Sequence, residues 1–129
     1  MNQESSAIKS FTDLIVWQQG HKLVLLIYKY SQRFPKQELF GLSNQIRRAI
    51  VSFTSNIAEG FSRTSYKEKV QFYYIALGSL TEVQNQLLIA KDFGSIRKEV
   101  FDELAEMSIE LSKLINGLIK KSKTFIPNS

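Results

Sequence analysis

The chain has 129 residues, no cysteine, one histidine and a net charge of +5. This length predicts a single domain, and the absence of cysteine excludes a disulfide framework and a thiolate metal site. The first ten residues lack the basic-then-apolar pattern of a secretion signal. No run approaches the roughly 18 apolar residues that cross a bilayer. We therefore expect a cytoplasmic protein that does not enter a membrane.

The positive charge is unevenly distributed along the chain. Residues 1–91 carry 11 Lys and Arg against 6 Asp and Glu, whereas residues 92–129 carry 6 of each. The isoelectric point is about 9.5. Such a charge is compatible with binding to a phosphate backbone or to an acidic protein surface. The alternative is that it only keeps the protein soluble.

Four helical segments are predicted in chain order, because apolar residues recur with the period of a helix and no segment shows the alternation of a strand. Their predicted bounds are about Asp13–Arg33, Ser43–Phe61, Ser65–Phe93, and from after Ser95 to about Lys121. Thr12 or Asp13 is the expected N-cap of the first helix, and Pro35 stops that helix. A capping box of Ser65 and Glu68 starts the third helix, and Gly94 ends it.

These segments predict an all-α fold. Short connections between long helices favour neighbours that run in opposite directions, which gives an antiparallel up-down-up-down four-helix bundle. The domain is expected to span residues 11–122, between flexible tails at 1–10 and 123–129. The fourth helix supports a bundle with apolar residues spaced 4-3-4-3-4, namely Val100, Leu104, Met107, Leu111, Leu114 and Leu118.

The first helix is apolar on two sides, whereas a bundle helix normally buries one stripe. One side carries Leu14, Trp17, His21, Val24, Leu25 and Tyr28, and the other carries Val16, Leu23, Leu26, Ile27, Tyr30 and Phe34. We expect a second copy to cover one side, with Val16, Leu23, Ile27 and Tyr30 at the interface. The alternative is a monomer that wraps its first helix more deeply.

The third helix shows the same feature in milder form. Its main apolar face holds Val70, Tyr73, Leu77, Leu80, Leu87 and Leu88, and its back holds Ile75, Ile89 and Phe93. Glu82 lies on this back, and Glu59 precedes Arg63 by four residues, which is the favourable order for a helical ion pair. We expect Glu59 and Glu82 to form salt bridges between helices or subunits, with Arg47, Arg48 or Arg63 as candidate partners of Glu82.

The sequence offers little for catalysis. His21 is the only histidine, and a lone histidine on an apolar stripe is more often packed in a core than a base or a metal ligand. The Glu-x-x-His pairs of di-metal bundles and the glycine-rich phosphate loops are absent from the sequence. We therefore expect no enzyme activity, no metal and no cofactor.

Basic residues supply the candidate binding site. The second helix has a polar face of Arg48, Ser52, Ser55, Asn56, Glu59 and Arg63. Arg47 and Arg48 are adjacent but diverge by about 100° around the helix. Arg63, Lys67 and Lys69 cluster at the turn before the third helix, whose N-terminus favours phosphate. Nearby aromatic residues such as Tyr66 and Tyr74 allow base stacking. The nucleic-acid candidates are Arg47, Arg48, Arg63, Lys67 and Lys69.

Several stretches resemble proteins encoded by intervening sequences within bacterial 23S ribosomal RNA genes. They are DLIVWQ from Asp13, GLSNQIRRAIVSF from Gly41, NIAEGFSR from Asn56 and FYYIALGSLTEVQNQLLIAKDFG from Phe72, within residues 11–121. The resemblance implies an antiparallel four-helix bundle assembled as a homopentamer. It also implies kinship with accessory proteins of diversity-generating retroelements, which associate with a reverse transcriptase and nucleic acid. The family often has proline where this chain has Thr54, so the resemblance leaves the expected bend of the second helix open.

Together these features predict a non-enzymatic, cytoplasmic homo-oligomer that associates with nucleic acid, most plausibly RNA, through basic surfaces. The alternative is an interaction scaffold that docks a polymerase or another protein, such as a reverse transcriptase, without contacting nucleic acid directly.

Overall fold

A computed structural model describes residues 7–35 and 41–127, and the expectations for residues 1–6 and 128–129 lie outside this part. The described chain is all-α, with a short 3-10 helix at Phe11–Asp13 and four long helices. They are α1 (Ile15–Ser31), α2 (Leu42–Ser62), α3 (Tyr66–Asp92) and α4 (Lys98–Lys123). α1 packs against α2 and α4, and α3 packs against the same two helices, which makes a four-helix bundle. No helix in the described ranges is long and apolar enough to cross a membrane.

Helix ends agree with the predicted caps in the second half of the chain. The Ser65 Oγ accepts a hydrogen bond from the Glu68 backbone N–H at 3.1 Å, so Ser65 is the predicted N-cap. The reciprocal bond of a capping box, from the Ser65 backbone N–H to the Glu68 carboxylate, is not formed, so that part of the prediction was wrong. Gly94 has a φ of +83°, and the Ser95 backbone N–H bonds to the Ala90 carbonyl at 2.8 Å across the end of α3. Glycine reaches this conformation without a steric penalty, which explains the helix end there.

The start of α1 differs from the prediction. Ser10, rather than Thr12 or Asp13, is an N-cap, and it caps the 3-10 helix with a complete capping box to Asp13. Leu14 then has an extended backbone conformation, and α1 begins at Ile15. The strong local hydrogen bonds of Ser10 and Asp13 favour the separate short turn.

The core holds one stripe from each helix. Its fully buried side chains include Leu23 and Ile27 of α1, Phe53 of α2, Leu80 of α3 and Ile115 of α4. In α4 the buried residues do not follow the predicted 4-3-4-3-4 spacing. Ser108, Ile115 and Ile119 are buried, whereas the predicted Met107, Leu114 and Leu118 are half-buried. A helix of 3.6 residues per turn drifts away from a strict seven-residue repeat, so the buried stripe moves around α4.

α2 is one continuous helix through Thr54. The Thr54 hydroxyl donates to the Val51 carbonyl at 3.1 Å. A Cβ added at Gly20 of α1 would lie 2.8 Å from the Phe53 Cε2 and 3.0 Å from the Thr54 Cγ2, so glycine is required for this close approach of α1 and α2.

Candidate functional site

The polar face of α2 divides into a part that packs against α3 and a part that faces solvent. The Ser52 and Ser79 hydroxyls share a hydrogen bond of 2.8 Å. Asn56 donates from Nδ2 to the Ser52 carbonyl at 2.8 Å and to its Oγ at 3.1 Å. Arg48 and Ser55 are exposed. In the middle of this face, Ser52 joins α2 to α3, and Asn56 bonds back to Ser52 on its own helix.

Arg47 and Arg48 have different environments, as their angular separation predicts. The Arg47 Nε donates to the Ser31 Oγ at 2.7 Å, and its guanidinium lies 4.8 Å from the centre of the Tyr28 ring. Arg47 therefore links α2 to the C-terminal end of α1. A cation at that end also interacts favourably with the dipole of α1. Arg48 is exposed and forms no hydrogen bond or ion pair with the described residues.

The turn between α2 and α3 brings Arg63, Lys67 and Lys69 together, but two of the three have intramolecular partners. Arg63 pairs with Glu59 at 2.7 Å and lies 4.6 Å from the Phe72 ring centre. The Lys69 Nζ donates to the Phe61 carbonyl at 2.6 Å, at the end of α2. Burial lowers the pKa of Lys69 below its usual value. Within the described part of the chain, Lys67 alone of the three is left without a partner.

Glu82 lies in a groove between α2 and α3, which we call the α2–α3 groove. Its volume is about 480 Å³, and its lining residues are Gln45, Arg48, Ala49, Ser52, Glu82 and Gln86. Glu82 is exposed, and no basic side chain of the described residues lies within 4.0 Å of it. The expected salt bridge of Glu82 is thus not formed with any described residue, although Arg48 lies in the same groove. Glu59 has its partner, Arg63, on its own helix.

The structure reverses the expected roles of the two faces of α1. Val16, Leu23 and Ile27, expected at a subunit interface, are 5%, 0% and 1% exposed in the core of the single chain. Tyr30 is half-buried, and its hydroxyl donates to the Glu103 carboxylate at 3.1 Å, a bond that raises the Tyr30 pKa. Both faces are apolar in sequence, so periodicity alone did not decide which one meets the bundle.

On the other apolar side of α1, Leu25 and Tyr28 are 58% and 40% exposed, whereas Leu14, Trp17 and Val24 are half-buried and pack against the core. His21, expected in the core, is exposed and stacks on Trp17 with ring centres 4.8 Å apart. No group of three or more possible metal ligands occurs in residues 7–35 and 41–127.

One group of basic residues was missed by the sequence analysis. Lys120, Lys121 and Lys123 lie in the last turn of α4, and the Lys123 Nζ is 3.2 Å from the Tyr74 hydroxyl of α3. The predicted domain end at residue 122 places Lys123 in a tail, and the balanced charge of residues 92–129 conceals this group. A count over each half of α4 would have found it.

Comparisons with known proteins agree with this architecture. The family model described as 23S rRNA-intervening sequence protein matches residues 12–117. A crystal structure of a protein of unknown function, from the S23 ribosomal protein family of Bacteroides thetaiotaomicron, is similar with a TM-score of 0.74. Its sequence is 26% identical, and the alignment covers 82% of this chain and 99% of that chain. No curated protein matches the sequence. The chain belongs to the 23S rRNA-intervening sequence protein family.

Proposed function

We propose that this protein is a non-enzymatic homo-oligomer that associates with RNA through backbone contacts. The observation that carries the proposal is the presence of exposed cations, Arg48 and Lys67, that have no partner among the described residues of a chain with a net charge of +5. Unpaired surface cations release counterions when they contact phosphates, which favours binding without sequence readout. Arg47, Arg63 and Lys69 contribute less, because each already holds an intramolecular partner.

The proposed bundle is antiparallel, with helices running up, down, up and down. Pairs of contacts between α3 and α4 support this order: Gln84 bonds to Ser108 and Ser112, whereas Tyr74, earlier in α3, contacts Lys123, later in α4. The proposed assembly is a homopentamer. Exposed apolar side chains on α1 and at the C-cap of α3, such as Leu25 and the 75% exposed Phe93, support self-association. The number of five subunits is what the family resemblance implies.

RNA binding is tested by fluorescence anisotropy with a labelled single strand of mixed sequence, in 50 to 300 mM KCl. We expect micromolar affinity at low salt that falls steeply as KCl rises. Replacing Arg48 and Lys67 with glutamine should weaken binding and lower the salt slope by up to about 1.4. Replacing the exposed lysines Lys22 and Lys29 of α1 with glutamine gives the same change of charge. An equal loss of affinity in that variant would show that net charge, rather than the positions of Arg48 and Lys67, determines binding. Absence of binding by the wild-type chain at 50 mM KCl would overturn the proposal.

Assembly is tested separately by size-exclusion chromatography with light scattering. We expect a mass about five times that of the 14.8 kDa chain. A folded monomer at high concentration would contradict the proposed assembly without bearing on RNA binding.

A second candidate function is a cytoplasmic scaffold that docks a polymerase, such as the reverse transcriptases served by retroelement accessory proteins. The exposed Ile75, Ile89 and Phe93, spread along α3 and its C-terminal end, favour it, because exposed apolar side chains suit a protein partner. Co-purification with a polymerase that survives nuclease treatment, and is lost in an Ile89→Lys variant, would support the scaffold.

A further inference from the structure

Charge is separated along α4 far more sharply than along the whole chain. Residues 92–110 hold six acidic and two basic side chains, whereas residues 111–129 hold four lysines and no acidic residue. Three of these lysines, Lys120, Lys121 and Lys123, are exposed in the last turn of α4. Lysines in a last turn complement the helix dipole, but the surroundings of this group suggest more than that role.

Aromatic rings from α3 lie beside these lysines. The Lys123 Nζ is 3.2 Å from the Tyr74 hydroxyl and 5.7 Å from the Tyr74 ring centre. Phe125 lies against Tyr66, with ring centres 5.0 Å apart and ring planes inclined by 32°. Tyr66, Tyr74 and Phe125 are 39%, 46% and 53% exposed. Residues separated by about fifty positions in sequence therefore form one surface, the α3–α4 basic face, consisting of Tyr66, Tyr74, Lys120, Lys121, Lys123 and Phe125.

A groove of about 390 Å³ runs along part of this face. It is lined by Tyr74, Asn116, Ile119, Lys120 and Lys123. Two cations and a partly exposed ring thus border one open concavity. Elsewhere on α4, Glu103, Glu106 and Glu110 line a different groove with α1, so a polyanion near α4 is attracted to its C-terminal half and repelled by its N-terminal half.

Lysines beside exposed rings are the elements that bind single-stranded nucleic acid without sequence readout. The lysines contact successive phosphates, and each ring stacks on an unpaired base. A duplex presents its phosphates to the lysines, but its bases are stacked on one another. The aromatic rings therefore add no stacking energy when a duplex binds. We propose that the α3–α4 basic face binds unpaired nucleotides of RNA. This inference rests on the proposed RNA association, and it names the surface and the class of RNA.

The test compares three variants of the full-length chain, each first shown by circular dichroism and thermal unfolding to be folded. The first replaces Lys120, Lys121 and Lys123 with glutamine. The second replaces Tyr74 and Phe125 with leucine, which keeps the apolar volume and removes the rings. The matched control replaces Lys22 and Lys29 of α1 and Arg33 just beyond its C-terminal end with glutamine, which removes the same charge from another exposed part of the molecule. The probes are a labelled 20-nucleotide single strand of mixed sequence and the duplex of the same sequence.

We expect the lysine variant to bind the single strand at least tenfold more weakly, with a salt slope smaller by about 2. The ring variant should lose about tenfold for the single strand at an unchanged salt slope, and little for the duplex. The control should remain within threefold of the wild type. If the wild type binds RNA and the lysine and ring variants bind as well as it does, the inference is overturned while the proposed function stands. A wild type that binds no RNA overturns both.

Two further outcomes would also overturn the assignment to unpaired nucleotides. One is that the protein binds the duplex as tightly as the single strand and that the ring variant binds both as the wild type does. The other is equally tight binding of poly-glutamate, again independent of the rings, because that result would identify a general polyanion surface.

Discussion

The α2–α3 pair and the α1–α4 pair are packed in different ways within one bundle. Between α2 and α3, the backbone at Gly60 approaches α3 so closely that an added Cβ would lie 2.8 Å from the Tyr73 Cε1. The Ser52 and Ser79 hydroxyls meet at 2.8 Å nearby. Both pairs border a groove, of about 480 Å³ at α2–α3 and about 520 Å³ at α1–α4. The α1–α4 groove is lined by Gln19, Glu103, Glu106, Met107, Glu110, Leu111 and Leu114, and no glycine of α1 or α4 makes a close approach across this pair.

The difference shows where the fold is rigidly specified and where it is tolerant. Small residues let two helix backbones approach, and any added atom there collides with a neighbour that is itself packed. Long side chains along an open groove adjust to a change and exchange contacts with water. We therefore expect mutations at the α2–α3 pair to be costly and those at the α1–α4 groove to be mild.

The largest contrast is expected between two leucine truncations. Leu80 of α3 is fully buried, whereas Leu114 of α4 is half-buried and lines the α1–α4 groove. Leu80→Ala should lower the free energy of unfolding by about 3 kcal/mol, and Leu114→Ala by about 1 kcal/mol. Urea unfolding followed by circular dichroism measures both. Equal losses would show that the α1–α4 groove is closed in solution.

Gly60→Ala tests the close approach directly. The new methyl group would meet the Tyr73 ring at 2.8 Å and the Phe72 Cβ at 2.9 Å. We expect a loss of about 2 kcal/mol in the free energy of unfolding, because the helices must separate to admit it. Gly117→Ala in α4 is the matched control, since an added Cβ there meets no atom within 4 Å. A neutral Gly60→Ala variant would contradict the tight packing.

Lys69→Met tests the cation at the end of α2. The substitution removes the hydrogen bond of 2.6 Å from Nζ to the Phe61 carbonyl but keeps a long apolar chain. We expect a loss of about 1 kcal/mol, reduced from that of a fully buried bond by solvent. Lys67→Met changes the charge equally at an exposed neighbour and should leave thermal stability unchanged. If both variants melt alike, the bond contributes nothing.

Tyr73 gives the α2–α3 pair a dependence on alkaline pH. Burial raises the pKa of Tyr73 from 10.0 to about 12, because the phenolate is poorly solvated there. The folded pKa exceeds the unfolded one, so the stabilisation is complete below pH 10 and is lost as pH rises towards 12. At pH 11 the loss is about 1 kcal/mol. Denaturant unfolding from pH 9 to 11.5 measures it, and a Tyr73→Phe variant with the same pH profile as wild type would refute the assignment.

The smallest expected effect is a gain. Gly78 lies within α3, is exposed, and has open space where a Cβ would be. Gly78→Ala should raise the free energy of unfolding by about 0.5–1 kcal/mol, because alanine loses less backbone entropy in a helix. Differential scanning calorimetry detects the shift. A destabilised variant would indicate that this part of α3 is covered by another chain.

Local signals in the sequence were sufficient for most helix bounds. α2 was predicted as Ser43–Phe61 and is observed as Leu42–Ser62, because its apolar period and the break at Arg63 both act within a few residues. The cap of Ser65 on α3 is equally local. The predicted start of α1 was wrong, because Ser10 and Asp13 form the capping box of a separate 3-10 turn and α1 begins only after the extended Leu14.

The candidate site was harder to predict from the sequence than the helix bounds. Arg47 and Lys69 look like free cations in the sequence, but they bond to Ser31 and Phe61, which lie on preceding segments of the chain. Lys123 and Tyr74 are 49 positions apart and meet only in the bundle. A residue's partners across such distances depend on the helix rotations that packing selects.

The sequence by itself determined that residues 7–35 and 41–127 form four long helices, roughly where three of them begin and end, and that the chain carries an excess of positive charge. These properties follow from local hydrogen bonding, from periodicity and from composition. The tertiary structure alone decided which apolar face of α1 is buried. It also decided which Lys and Arg side chains have intramolecular partners, and which aromatic rings lie next to the lysines of α4. It did so because a helix apolar on two sides satisfies the core equally well in either rotation until its neighbours are in place.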